Sequence, residues 1–119
     1  MFRAREIATD RIAGFYTLAA GGILLADMPA SLAKGLPRYS SVPVERLGRL
    51  AVALPYHGRK LGGTLLWDAV ARAGRSEVAV YAVVVDAKDE KAEQFYRHHG
   101  FVAFDSAPRV LILPLPKSM

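Results

Sequence analysis

The 119-residue chain contains no cysteine and a single tryptophan. Without cysteine it can form neither disulfides nor thiolate metal sites, and it has no cysteine nucleophile. Its histidines, His57, His98 and His99, do not show metal-ligand spacing with nearby carboxylates. We therefore expect no metal site. A chain of this length suits one domain, here residues 1–119.

Long apolar runs are missing as well. No stretch approaches the roughly 20 apolar residues that span a membrane, and the first residues lack the apolar region of a signal peptide. We expect a cytoplasmic protein that does not engage a membrane.

Positive charge is what the chain has in excess. Sixteen Lys and Arg against 11 Asp and Glu give a net charge of +5, and 52% of the residues are hydrophobic. The hydrophobic content is enough to bury a sizeable core. The charge favours an anionic partner, either nucleic acid or a phosphorylated cofactor, although an ordinary basic protein has the same composition.

The hydrophobic pattern predicts the order strand, strand, strand, helix, strand, helix, strand. After a hairpin of strands near 2–8 and 11–20, a loop carries one short helix begun by Pro29. The later elements are a strand at 45–54, a helix at 61–73, a buried strand at 77–85, a helix at 88–99 and a strand at 109–115. The second helix is predicted to start at Asp86 or Asp89 and to end at a left-handed Gly100. This alternation predicts an α/β (α+β) fold with helices packed on a mixed sheet.

A basic, glycine-rich turn, HGRKLGG (57–63), joins the third strand to the first helix. The first N–H groups of a helix have no internal partner, and the helix dipole adds positive potential there, so such a turn can hold a phosphate. Glycine lets the backbone approach the ligand, and Arg59 and Lys60 add charge. Neither the P-loop nor the Rossmann spacing is present. The alternative is a tight connection whose basic residues are only solvated.

Two segments carry a resemblance to a known family. YHGRKLGGTLLWDAV resembles the coenzyme A loop of GCN5-related N-acetyltransferases, and EKAEQFYRHHGFVAF resembles that family's second signature helix and the following strand. Within the family, SVPVERLGRLAV and RVLILPLP are most similar to toxins of toxin–antitoxin pairs, which acetylate the α-amine of aminoacyl-tRNA. The resemblance implies a GNAT-like mixed, mostly antiparallel central sheet with flanking helices. The family's first strand and first two helices are expected to be missing.

The resemblance also implies which residues bind acetyl-CoA. Backbone groups of Leu50, Ala51 and Val52 are expected along the pantetheine. The expected pyrophosphate contacts are Arg59, Lys60, Leu61, Gly62 and Gly63. His57 and Lys60 depart from the family signature, which has Gln or Arg and Gly at these places. Because backbone amides do not depend on those side chains, we expect binding to persist.

Tyr96 is the candidate general acid that the resemblance implies. A phenol near pKa 10 can supply a proton to a departing thiolate of nominal pKa about 8.5. The alternative is that Phe95 and Tyr96 are core aromatics. No general base stands out, although Glu45, His57 and His98 are conceivable. An α-amine acceptor titrates near 8 and needs no base.

The implied partners are acetyl-CoA, aminoacyl-tRNA, a small antitoxin protein and a second copy of the chain in a homodimer. Candidate contacts for tRNA phosphates are Lys34, Arg38, Arg46 and Arg49. Trp67 lies off the apolar stripe of its helix, where partial burial is favoured over a subunit contact. Two other functions stay open: acetylation of protein or small-molecule amines, and a non-catalytic CoA-binding or interaction module.

Overall fold

The computed structural model describes residues 2–6, 11–24, 27–29, 32, 41–52, 61–75, 80–104, 107 and 109–115. Within these ranges one sheet and two helices are formed. The elements are β1 (Phe2–Glu6), β2 (Arg11–Leu24), β3 (Ser41–Val52), α1 (Leu61–Gly74), β4 (Ala82–Asp86), α2 (Glu90–His98), β5 (Val102–Ala103) and β6 (Val110–Pro114). The strands lie in the order β1-β2-β3-β4-β6-β5.

The sheet is mixed and mostly antiparallel, as predicted. β3 and β4 pair in parallel, and the other neighbouring strands pair antiparallel. Helix α1 makes the crossover between the two parallel strands, which is the connection such a pair requires. The short helix predicted from Pro29 falls largely outside the described residues; Leu32 donates its N–H to the Pro29 carbonyl at 2.9 Å.

Several strand predictions differ from the structure. β2 ends at Leu24 rather than at residue 20, and β4 covers Ala82–Asp86 where a strand at 77–85 was predicted. The hydrophobic pattern did not predict β5 because it has only two residues, which pair with β6. The family resemblance did indicate a strand after the second signature helix, and β5 lies there.

β3 begins at Ser41 rather than at Glu45, so Pro43 lies inside a strand. The Pro43 carbonyl accepts from the Tyr81 N–H at 2.8 Å, on the side away from β2. The missing N–H of Pro43 therefore faces the start of β4, and the β2 ladder loses no bond.

Helix α1 follows from the spacing of its apolar residues. Leu65, Leu66, Ala69 and Ala73 are buried and form one stripe against the sheet. The prediction of a helix at 61–73 is confirmed.

Helix α2 is bounded by two local signals. The Asp89 side chain accepts from the Ala92 N–H at 2.8 Å, which identifies it as the N-cap. At the other end Gly100 has a φ of 95°, and the Phe101 N–H donates to the Tyr96 carbonyl at 3.1 Å. Phe101 is buried beside Tyr96, with ring centroids 5.5 Å apart. Both predicted caps are confirmed, and together they hold Tyr96 in place.

The sheet buries both of its faces. One apolar cluster joins it to the two helices through Leu66, Ala69, Tyr96 and Phe101, with Tyr16, Leu47, Val83, Val85 and Leu111 of the strands. The other face carries Ile23, Met28, Val42, Val44, Ala82, Val84, Phe104 and Ile112. Strand β4 contributes to both clusters, and its residues 82–85 are at most 1% exposed. It is the fully covered central strand that the sequence predicted.

Candidate functional site

A cleft opens where β3 leaves β4. The two strands pair from Val44 to Leu47, and β3 then continues to Val52 beside β2. At the same point the register with β2 shifts: Thr17 lies opposite Arg49, and Leu18 lies opposite Leu47. Gly48 is thus an extra residue in β3. Such a bulge bends and twists its strand, and this explains why β3 diverges from β4 here.

The cleft consists of two adjoining cavities of about 410 and 540 Å³. They share Leu50, Lys88, Ala92 and Tyr96. One cavity reaches back to Leu47 and Gly48 at the bulge, and the other reaches forward to Val52, Gly62 and Phe95. The cleft therefore runs from the β3 bulge to the first turn of α1, a shape that suits an elongated ligand.

The cleft brings together most of the predicted site residues that the structure describes. Leu50, Ala51, Val52, Gly62 and Tyr96 line it. Leu61 and Gly63 flank Gly62 in the first turn of α1 and are half-buried. Arg59 and Lys60 lie outside the described residues, as does His57.

Tyr96 lies where the two cavities meet and is 8% exposed. Its ring packs against Phe95 at 5.3 Å and Phe101 at 5.5 Å, so it is a core aromatic as well as a cleft residue. Burial raises the pKa of Tyr96 to about 12. The phenol is protonated at neutral pH, as an unshifted tyrosine also is, and the raised pKa makes it a weaker acid.

The cleft is bordered by more cations than free carboxylates. Arg49, Lys88 and Lys91 line it, and none is in an ion pair with a carboxylate of the described part. Asp86 lies 3.4 Å from Arg46, and Asp89 caps α2, so both of these carboxylates have partners. The remaining positive charge favours an anionic ligand.

Two of the conceivable general bases lie away from the cleft. Glu45 lines a separate cavity together with Arg72 and Arg75. His98 is exposed at the end of α2 and packs against the His99 ring. Neither lines the cavities that contain Tyr96.

The sequence did not predict a polar network that joins β2 to α1. The buried Tyr16 hydroxyl donates to Asp68, and Arg72 Nε donates to the same carboxylate at 3.1 Å. The Arg72 guanidinium also lies 4.2 Å from the centroid of the Phe2 ring. Burial and the hydrogen bond to Asp68 raise the pKa of Tyr16 to about 12. The (i, i+4) spacing of Asp68 and Arg72 was a readable signal, whereas Tyr16 is 52 residues from Asp68.

A family of known proteins matches the part of the sequence that forms most of this cleft. Residues 23–110 match the acetyltransferase (GNAT) domain. The chain therefore belongs to the acetyltransferase (GNAT) domain family. Neither α1 nor α2, the helices of the described part, is long and apolar enough to cross a membrane.

Curated relatives narrow the comparison within that family. The chain is 37% identical over 105 residues to a tRNA-acetylating toxin of Mycobacterium tuberculosis, a match that covers 87% of this chain and 62% of the relative. It is 28% identical over 113 residues to a probable toxin TacT of Sinorhizobium fredii, with the same coverage. The chain thus spans about 62% of the length of these relatives.

Solved structures share the fold. AtaT complexed with acetyl-methionyl-tRNAfMet superposes with a TM-score of 0.80 at 29% identity, covering 88% of this chain and 64% of that one. AtaTR bound with acetyl-CoA superposes with a TM-score of 0.76 at 29% identity, covering 94% and 67%. A tyrosine-to-phenylalanine variant of KacT gives 0.80 at 31% identity, covering 89% and 65%.

Proposed function

We propose that this chain carries an N-acetyltransferase that moves acetyl from acetyl-CoA to the α-amine of aminoacyl-tRNA, as a toxin-type enzyme. The observation that carries the proposal is the cleft running from the β3 bulge to the first turn of α1, with Tyr96 at its middle. Relatives support the substrates: one is a tRNA-acetylating toxin, one neighbour holds an acetyl-aminoacyl-tRNA and another holds acetyl-CoA. A small antitoxin, a second copy of the chain and a cytoplasmic location belong to the same proposal.

The residues of the cleft fit coenzyme A. Leu50, Ala51 and Val52 present strand backbone on the divergent part of β3, where a pantetheine amide can hydrogen-bond as an added strand would. Leu61, Gly62 and Gly63 form the first turn of α1, whose N–H groups suit a pyrophosphate. Arg59 and Lys60 are proposed to add charge at the same end. The co-substrate supplies an acetyl group activated as a thioester.

The chemistry asks little of the protein beyond orientation and one proton. A C–N bond forms to the acceptor and the C–S bond breaks, so the amine must lose a proton and the sulfur must gain one. The α-amine titrates near 8 and can lose its proton to water. Tyr96 donates its phenolic proton to the sulfur and regains one from solvent. Because burial disfavours a free thiolate in the cleft, a neutral donor beside it lowers the barrier.

Replacement of Tyr96 by Phe tests the chemistry. We expect acetyl transfer to charged tRNA to slow about 100-fold or more, because the donated proton is lost. Affinity for CoA, measured by calorimetry, should change little since the ring remains. Tyr81→Phe is the matched control: Tyr81 packs against the opposite face of the sheet and should retain full activity. An unchanged rate for Tyr96→Phe would reject the acid role.

The acceptor is tested by offering charged tRNA, a peptide N-terminus and a polyamine side by side. Arg49 and Lys88 border the cleft at the Tyr96 end and favour an anionic acceptor, so we expect charged tRNA to react fastest and the advantage to fall with salt. Faster transfer to the peptide or the polyamine would move the acceptor to that class. CoA binding without transfer to any amine would indicate a non-catalytic module.

A further inference from the structure

Trp67 is far more exposed than its residue type would suggest. The sequence favoured partial burial in the core, but the side chain is 49% exposed on α1. It is the only tryptophan of the chain. Its ring meets the His99 ring just beyond α2 at a centroid distance of 6.1 Å and an interplanar angle of 61°. We call this pair, Trp67 and His99, the aromatic surface.

The histidine of the aromatic surface is held in place by Phe95. The His99 ring packs on Phe95 at 4.6 Å, and His99 Nδ1 donates to the Phe95 carbonyl at 2.8 Å. These contacts fix the imidazole, which lies against Trp67 at a steep angle and leaves much of the indole open. Because the imidazole is already held by these contacts, stacking of a flat ligand there would cost little side-chain entropy at His99.

The aromatic surface continues from the proposed phosphate end of the cleft. A Cβ placed on Gly63 would lie 3.1 Å from His99 Nε2, so His99 adjoins the first turn of α1. Trp67 follows Gly63 by four residues, about 6 Å along the helix axis and on the same side. Because Gly63 has no side chain, the His99 imidazole can lie close to the first turn of α1, between that turn and the indole.

We propose that the aromatic surface is the subsite for the adenine base of coenzyme A. The inference rests on the proposed function, which puts the pyrophosphate against the first turn of α1. The base is joined to that diphosphate through one ribose, so it must lie a short distance from this turn. The exposed indole offers a purine a stacking partner at such a distance, and base–aromatic stacking needs no specific hydrogen bonds.

Intrinsic fluorescence tests the subsite directly, because the whole tryptophan signal comes from Trp67. We expect titration with CoA or with adenosine 3′,5′-bisphosphate to quench the emission. Titration with 4′-phosphopantetheine, which lacks the base, should leave it unchanged. Unchanged emission on saturation with CoA, with binding seen by calorimetry, would overturn the subsite and leave the proposed function standing. Absence of CoA binding would overturn both.

Substitutions provide the second readout. Trp67→Ala should bind CoA about tenfold more weakly, with unchanged affinity for 4′-phosphopantetheine. Trp67→Phe should retain most of the affinity, and Trp67→Leu should not, since leucine is apolar but cannot stack. Val102→Ala removes another exposed apolar side chain, on β5, and should bind as the wild type does. Wild-type affinity for CoA in Trp67→Ala would overturn the proposal. If the sedimentation coefficient of this variant also differed from that of the wild type, Trp67 would be assigned to a protein interface.

Discussion

Tyr16 and Tyr96 are buried phenols on the same face of the sheet, yet their roles differ. Tyr16 donates to Asp68, and that hydrogen bond lowers the pKa of the carboxyl. The pKa of Tyr96 is raised by burial alone, and its side chain lines the cleft. A phenol that already donates to a carboxylate has no proton to spare for a substrate, so the two environments separate a structural tyrosine from a candidate acid.

Removal of the Tyr16 hydroxyl tests the structural role. Tyr16→Phe should lower the free energy of unfolding in urea by about 1.5 kcal/mol, the lower end for a hydrogen bond to a charged group, because Asp68 is half-exposed and can be solvated instead. The same substitution in an Asp68→Ala background should have almost no effect, since its partner is gone. Equal losses in both backgrounds would show that the hydroxyl acts through something other than Asp68.

The two halves of strand β3 have different structural roles. Its first half pairs with both β2 and β4, and its second half, after the Gly48 bulge, pairs with β2 and borders the cleft. The cleft-bordering half needs close support from β2 and α1. A Cβ on Gly14 of β2 would lie 2.7 Å from the Ala51 carbonyl oxygen and 2.8 Å from Leu65 Cδ1. Only glycine lets these three elements approach so closely.

Gly14→Ala tests this close approach. We expect the free energy of unfolding to fall by about 1–3 kcal/mol through overpacking. Displacement of Ala51 should also weaken CoA binding. Gly21→Ala, in the same strand, is the control: its Cβ would meet the Arg46 side chain at an ordinary 3.5 Å, and stability should change little. Wild-type stability and affinity in Gly14→Ala would mean that β3 can shift without harm to the cleft.

At the scale of the molecule, the fold is one mixed sheet whose single parallel pair, among the strands described, creates the cleft. The α1 crossover puts its first turn at the far end of that cleft, and α2 forms the wall opposite β3. The bound ligand would thus contact β3, α1 and α2 at once. Burial of Tyr16 and Tyr96 on the helix side is a property of the same packing.

The loss of stability at alkaline pH tests whether Tyr16 and Tyr96 are buried in this packing. Tyr16 and Tyr96 have pKa values of about 12 when folded, against about 10 when unfolded. Between these values the folded chain holds more protons than the unfolded chain, so stability is intact below pH 10 and falls as pH rises toward 12. Urea midpoints measured from pH 8 to 11 should decline above pH 10, and less steeply in Tyr16→Phe. A flat profile would contradict burial of the phenols.

Local sequence signals were enough to predict much of the secondary structure of this protein. The caps of α2 at Asp89 and Gly100 involve groups three to five residues apart, so the sequence alone predicted them. The apolar stripe of α1 and the continuous apolar residues of β4 likewise predicted one helix and the central strand. The motifs at 56–70 and 90–104 then indicated the family, and the match to the acetyltransferase (GNAT) domain confirms it.

Contacts between distant residues needed the tertiary structure. The Gly48 bulge depends on register with β2, the Tyr16–Asp68 bond joins residues 52 apart, and the exposure of Trp67 depends on how α2 packs. By itself the sequence determined the order of the main helices and strands, the caps of α2 and the family that the motifs indicate, because caps and periodicity act over a few residues. Only the tertiary structure decided the shape of the cleft and which side chains border it, since these follow from packing between elements far apart in the chain.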